Sequence, residues 1–166
     1  MIDYIDIYND STYLLNNPTW DEEDTHWKSK QINLILKKNK IDPFKICEIG
    51  CGSGGILINL EKELGNNKLF FGYEVSKQAF SICSKKKKDN IKFILKDILL
   101  ENKTFYDVLL IIDVFEHVED YFGFLKKLKG KGEYKIFHIP LDLSVSSVLR
   151  STPIISARKL VGHIHY

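Results

Sequence analysis

Two stretches of this 166-residue chain carry most of the chemistry that can be read from residue type and spacing. The first is Glu48-Ile49-Gly50-Cys51-Gly52-Ser53-Gly54-Gly55, placed where a strand pattern gives way to a helix pattern. Glycines at such a handover let the backbone turn tightly and come close to a ligand, while the free amides of a helix start favour a carboxylate or phosphate. Gly50, Gly52 and Gly55 satisfy GxGxxG, a spacing that suits a dinucleotide or another adenosyl cofactor equally. No Lys follows the glycines, which excludes a triphosphate-binding P-loop. Glu74 falls 24 residues after Gly50, at the end of the next strand pattern, where a carboxylate can accept hydrogen bonds from both hydroxyls of a ribose. Asp97 follows the third strand in Leu95-Lys96-Asp97-Ile98, suitably placed for an adenine amino group. The second stretch, Asp113-Val114-Phe115-Glu116-His117-Val118-Glu119-Asp120, puts an acidic rim after the fourth strand. Together these groups imply an adenosyl ligand at the carboxyl ends of a row of strands.

The elements that must position them alternate between strand and helix, the pattern of a parallel sheet covered on both faces. Residues 28–39 place Ile32, Ile35 and Leu36 on one helical face before Asp42-Pro43 breaks the run. Strands are expected over 45–49, 69–74 and 91–95, with helices over 55–64 and from a Ser76 cap to about residue 86. Asp107 opens a fourth strand whose 108–112 are apolar in succession, as a strand buried on both faces requires. A helix to about residue 129 and a fifth strand over 134–139, stopped by Pro140, complete the pattern.

These segments resemble the class I S-adenosylmethionine-dependent methyltransferases. EIGCGSG looks like their first motif, YEVS their second, KDIL their third and YDVLLIIDVFEHVED their fourth, over roughly residues 28–140. The resemblance implies an α/β fold, a Rossmann-like doubly wound, mainly parallel sheet with helices on both faces, and S-adenosylmethionine as cofactor. It places Glu48, Gly50, Gly52 and Gly54 beside the methionine part, Glu74 at the ribose, Asp97 and Ile98 at the adenine, and Asp113 beside the amino group and sulfonium. Carboxylates around a cationic ligand are favourable, and without it they repel one another. Residues 28–140 would be the cofactor-binding domain, 1–27 an acidic, aromatic arm or lid carrying Tyr4, Tyr8, Tyr13, Trp20 and Trp27, and 141–166 a partial substrate-side segment. Complete members add a helix and an antiparallel strand pair after strand five, so these final strands are expected to be missing here. Strand five would then be an exposed edge and a route to a homo-oligomer.

Methyl transfer from a sulfonium draws most of its rate from positioning and desolvation, with a base needed only for a poorly ionised acceptor. His117, His138, His163 and Glu116 are the candidate bases. His117 and His163 are the catalytic candidates, the second because family members often carry a similar Gly-His segment near the site. His117 could equally hold its helix to the sheet, and His138 reads as a satisfied core histidine. Nucleobase methyltransferases usually carry Asn or Asp, then Pro-Pro and an aromatic, where this chain reads Asp113-Val114-Phe115-Glu116. A small-molecule acceptor is therefore expected and no nucleic acid. A nicotinamide-dependent oxidoreductase and a non-catalytic adenosyl-binding or assembly module stay open as alternatives.

Composition agrees with one buried core, at 44% hydrophobic and 28% charged residues. The first 27 residues hold seven acids and no Lys or Arg, which leaves the rest of the chain basic. The run Lys85 to Lys88 reads as a solvated helix end rather than a nucleic-acid patch, and with only Arg150 and Arg158 the chain lacks the better phosphate-recognising side chain. No apolar run is long enough to span a membrane and the start lacks a secretion signal, so a cytoplasmic protein is expected. Cys47, Cys51 and Cys83 form no CxxC pair, so neither a disulfide framework nor a metal site is expected.

Overall fold

The computed structural model describes Trp20, residues 22–141, residues 144–149 and His163. Tyr4, Tyr8 and Tyr13 of the expected lid, and most of the segment 141–166, lie outside the described residues.

The order of elements is α1 (Thr25–Lys38), β1 (Lys45–Ile49), α2 (Gly55–Leu64), β2 (Leu69–Glu74), α3 (Lys77–Cys83), β3 (Ile91–Leu95), β4 (Tyr106–Ile112), α4 (Tyr121–Leu128), β5 (Gly132–His138) and α5 (Val145–Leu149). The five strands form one sheet in the order β3-β2-β1-β4-β5, parallel at every pairing. This is the expected Rossmann-like layout. Strand order reverses between β1 and β4, and in open α/β sheets the crevice at such a switch point, at the carboxyl ends of the strands, is where ligands bind.

Successive apolar residues in β4 are required because both faces are covered. Val108, Leu110 and Ile112 enter one core with Ile32 and Leu36 of α1 and Leu57 and Leu60 of α2. Leu109 and Ile111 enter the other with Phe124 and Leu128 of α4. Small and polar residues set the close crossing of α1 over α2. A side chain at Gly55 would meet Thr25 at 2.7 Å, and the Asn59 amide donates to Thr25 Oγ1 at 3.2 Å.

Three boundaries differ from the sequence reading. Helix α1 starts at Thr25, after a 3-10 turn over Glu22–Asp24, rather than at residue 28. The helix expected directly after β4 is divided: a 3-10 turn, Phe115–His117, comes first. Helix α4 then starts afresh because the Asp120 carboxylate accepts the Gly123 amide at 2.8 Å. His117 thus lies in a turn, not at a helix start. Strand β5 begins at Gly132, paired with Tyr106, where a Cβ would come within 2.7 Å of Leu109 Cγ. A reading that follows apolar residues starts that strand too late, at Tyr134. Among the described residues β5 is a sheet edge, as expected.

Asp107 ties the start of β4 to the chain entering β1. Its Oδ2 accepts the amides of Phe44 at 2.6 Å and Lys45 at 2.8 Å. Asp107→Ala should lower stability by about 1–3 kcal/mol, read as a reduced urea midpoint with an unchanged m-value.

Candidate active site

The glycine loop is held from both sides. Gly50 has φ +64°, and a Cβ there would lie 2.6 Å from Val114 Cγ2, so backbone conformation and the chain leaving β4 both demand glycine. Gly52 has φ +52° and open space on its Cβ side, where the nearest atom is on the Trp20 ring at 4.0 Å. Gly54 caps α2 with no side-chain hydrogen bond to the first-turn amides.

Glu74 organises this loop. Its Oε2 accepts the Gly52 amide at 2.8 Å, and its Oε1 accepts the amides of Val75 and Ser76, each at 2.8 Å. Burial raises its pKa above the ordinary carboxylate value, and the three amides offset only part of that rise. The next strand end is bound to it, since the Lys96 amide donates to the Glu74 carbonyl at 2.9 Å. Asp97 therefore shares a rim with Glu74. There its Oδ1 accepts the Leu99 amide at 2.8 Å and caps a 3-10 turn in which Ile98 is buried.

Glu48, near the end of β1, is 2% exposed, and its Oε2 has no hydrogen-bond partner among the described residues. Burial, then the charge of Glu74, raises its pKa well above the carboxylate range, with Lys28 acting in the opposite direction and Asp113 adding to the rise. Asp113, just past β4, adopts φ +54°, rare for a residue with a Cβ. Its Oδ2 lies 2.6 Å from Lys28 Nζ and its Oδ1 2.5 Å from His138 Nδ1. The expectation that His138 is a core histidine fails: its side chain is 39% exposed. It is a rim residue, held by Asp113 and set edge-on to Trp27 with ring centroids 6.0 Å apart.

The two catalytic candidates, His117 and His163, are brought together. Their ring centroids lie 5.0 Å apart, and their Nε2 atoms are 4.0 Å and 3.9 Å from Oε1 of the buried Glu116. The turn that carries Glu116 and His117 is fixed from below, because Phe115 packs on Phe137 and Tyr121.

The sequence reading missed Lys28. Its signal was available: Lys28 lies four and eight residues before Ile32 and Leu36, on the face of α1 that packs against the sheet. The three cysteines are free and buried. No described helix is long and apolar enough to cross a membrane.

Comparison with known proteins agrees with this geometry. The family described as "Methyltransferase domain" matches residues 26–160. Among solved structures, the plantazolicin methyltransferase BpumL in complex with a monoazolic desmethylPZN analog and SAH superposes with a TM-score of 0.58 at 23% identity, covering 92% of this chain and 56% of that one. Coclaurine N-methyltransferase bound to N-methylheliamine and SAH gives 0.54 at 21% identity, covering 63% and 32%. StiE O-MT gives 0.51 at 18% identity, covering 57% and 37%. These likenesses concern the fold, and the chain spans little more than half the length of BpumL. No curated protein sequence matches it.

The raised pKa of Glu48 has a consequence for stability. Above the ordinary carboxyl pKa the folded chain keeps a proton that the unfolded chain releases. The contribution of Glu48 is thus fully present below its unfolded pKa and is lost as pH rises toward its folded one. Glu48→Gln cannot ionise, so relative to the parent it should gain stability between about pH 4 and about pH 8. Urea unfolding at the two pH values checks this, and a gain independent of pH would show Glu48 to be ionised in the fold.

Proposed function

The chain belongs to the methyltransferase domain family, and on that premise we propose that it transfers a methyl group from S-adenosylmethionine to a small-molecule acceptor. The observation that carries this reading is the convergence of Glu48, Glu74 and Asp113 beside the glycine loop, at the ends of three neighbouring strands. A buried carboxyl oxygen without a partner, next to two further acids, suits a ligand that brings a positive charge and N–H donors. The cofactor, when bound, supplies a methyl carbon on a positively charged sulfur that leaves as a neutral thioether.

The residues of the chain do the holding. Glu74 is fixed by three amides, and a carboxylate has lone pairs to spare for ribose hydroxyls. The uncapped start of α2, with Gly50, Gly52 and Gly54 ahead of it, receives the carboxylate end of the methionine. Glu48 and Asp113 surround the cation, and Asp97 and Ile98 border the adenine. Lys28 supplies positive charge to the same acids. His117 and His163, with Glu116, stand on the acceptor side. Trp20, beside Gly52, supports reading the N-terminal arm as a lid over the cofactor. A reducing cytoplasmic setting fits three free, buried thiols.

Calorimetric titration of the chain with S-adenosylmethionine, S-adenosylhomocysteine and NAD tests the proposal. Binding of the first two and not of NAD is expected. NAD binding alone would favour an oxidoreductase, and no binding at all a module that keeps only the fold. Glu74→Ala should weaken S-adenosylhomocysteine by about 1–3 kcal/mol, and an unchanged affinity would remove Glu74 from the site.

A further inference from the structure

We infer that Glu116, His117 and His163 form a binding site for one borderline divalent transition-metal ion of the Zn2+ or Co2+ type. Oε1 of Glu116 stands 4.0 Å from His117 Nε2 and 3.9 Å from His163 Nε2, and one ligand atom from each of the three residues falls within 4.8 Å of the others. Both N···O separations are too long for a hydrogen bond. They are near what one ion asks for, because tetrahedral bonds of about 2.1 Å place their ligands about 3.4 Å apart. The two separations from Glu116 must close by about half an ångström and the widest of the three by up to about 1.4 Å, which side-chain rotation can deliver.

The donor set argues for the class of ion. Two imidazole nitrogens and one carboxylate oxygen are borderline ligands, suited to zinc and its transition-metal neighbours rather than to magnesium or calcium, which take oxygen donors. The site is shielded from water, with the Glu116 side chain 3% exposed, His163 14% and His117 20%. The turn carrying Glu116 and His117 is anchored by the His117 amide donating to the Val114 carbonyl at 3.0 Å and by the packing of Phe115. Two of the three ligands are therefore held on a fixed piece of backbone, and His163 arrives from 46 residues further along the chain.

Three protein ligands leave at least one coordination position open. Resting on the methyltransferase reading, that position would receive a lone-pair atom of the acceptor, three residues beyond Asp113, and select acceptors bearing a hydroxyl, carboxylate or other metal-seeking group. The cation site itself does not depend on that reading.

The test uses the full chain, freed of metal by dialysis against a chelator, and Co2+ as a spectroscopic probe. One equivalent of Co2+ should bind with visible absorption bands of low-symmetry coordination, and Zn2+ should displace it. Glu116→Gln, His117→Gln and His163→Gln should each weaken binding more than about 100-fold, beyond the loss typical of a residue that only supports a ligand. His163→Cys should restore binding with a new thiolate-to-cobalt band, which shows that the variant folds and that residue 163 touches the ion. Absence of Co2+ bands in the parent chain, or binding indifferent to all three replacements, overturns the site. A separate titration with S-adenosylhomocysteine reports on the cofactor pocket, so metal binding without it would count against the methyltransferase reading alone, and the converse against the metal site alone.

Discussion

Like charges in a poorly hydrated place must be neutralised, and this constraint governs the end of the sheet at which the strands finish. Glu48, Glu74 and Asp113 stand on adjacent strand ends, where burial makes ionised Glu48 and Glu74 costly and the charges of Glu74 and Asp113 add to the cost at Glu48. The molecule answers differently at each position. Glu74 is wrapped in backbone amides, Glu48 holds its proton to a higher pH than an ordinary carboxyl, and Asp113 is paired with Lys28 and His138. Much of the local conformation follows. The left-handed turns at Gly50, Gly52 and Asp113 lie beside these acids, and Glu74 donates no bond of its own but collects three.

The parallel sheet is what creates that problem. Because every strand points the same way, all of the strand ends gather on one rim, and the reversal of order between β1 and β4 opens the rim in the middle. Packing on both faces then fixes the register. In β4, Leu110 belongs to one core and Leu109 and Ile111 to the other, so a slip of one residue would exchange the two sets. Asp113 is therefore located by the packing of the residues just before it.

Most of the sheet could be read from the sequence because its signals are local. Apolar runs marked β1 to β4, Ser76 marked a helix start, and the glycine loop with acids at later strand ends marked the rim. Contacts distant in sequence were less legible. The start of β5 at Gly132 depends on how close Leu109 comes, which no pattern within that strand reveals. His138 was assigned to the core because it sits in a strand, yet its partners Asp113 and Trp27 come from other elements. The meeting of His117 with His163 was out of reach for the same reason, since spacing of 46 residues carries no geometry. Lys28 could have been found, as a cation on the inward face of an amphipathic helix calls for an acid opposite.

The two tryptophans of the chain give the rim its own optical reporters. Trp20 lies over the open side of Gly52, and Trp27 meets the ring of the histidine that holds Asp113. Indole emission depends on the polarity and protonation of its immediate neighbours, so each fluorophore watches a different end of the same acidic row. Intrinsic fluorescence of the unlabelled chain therefore reads out events at that row directly, and replacing either indole assigns the signal to the loop side or to the histidine side.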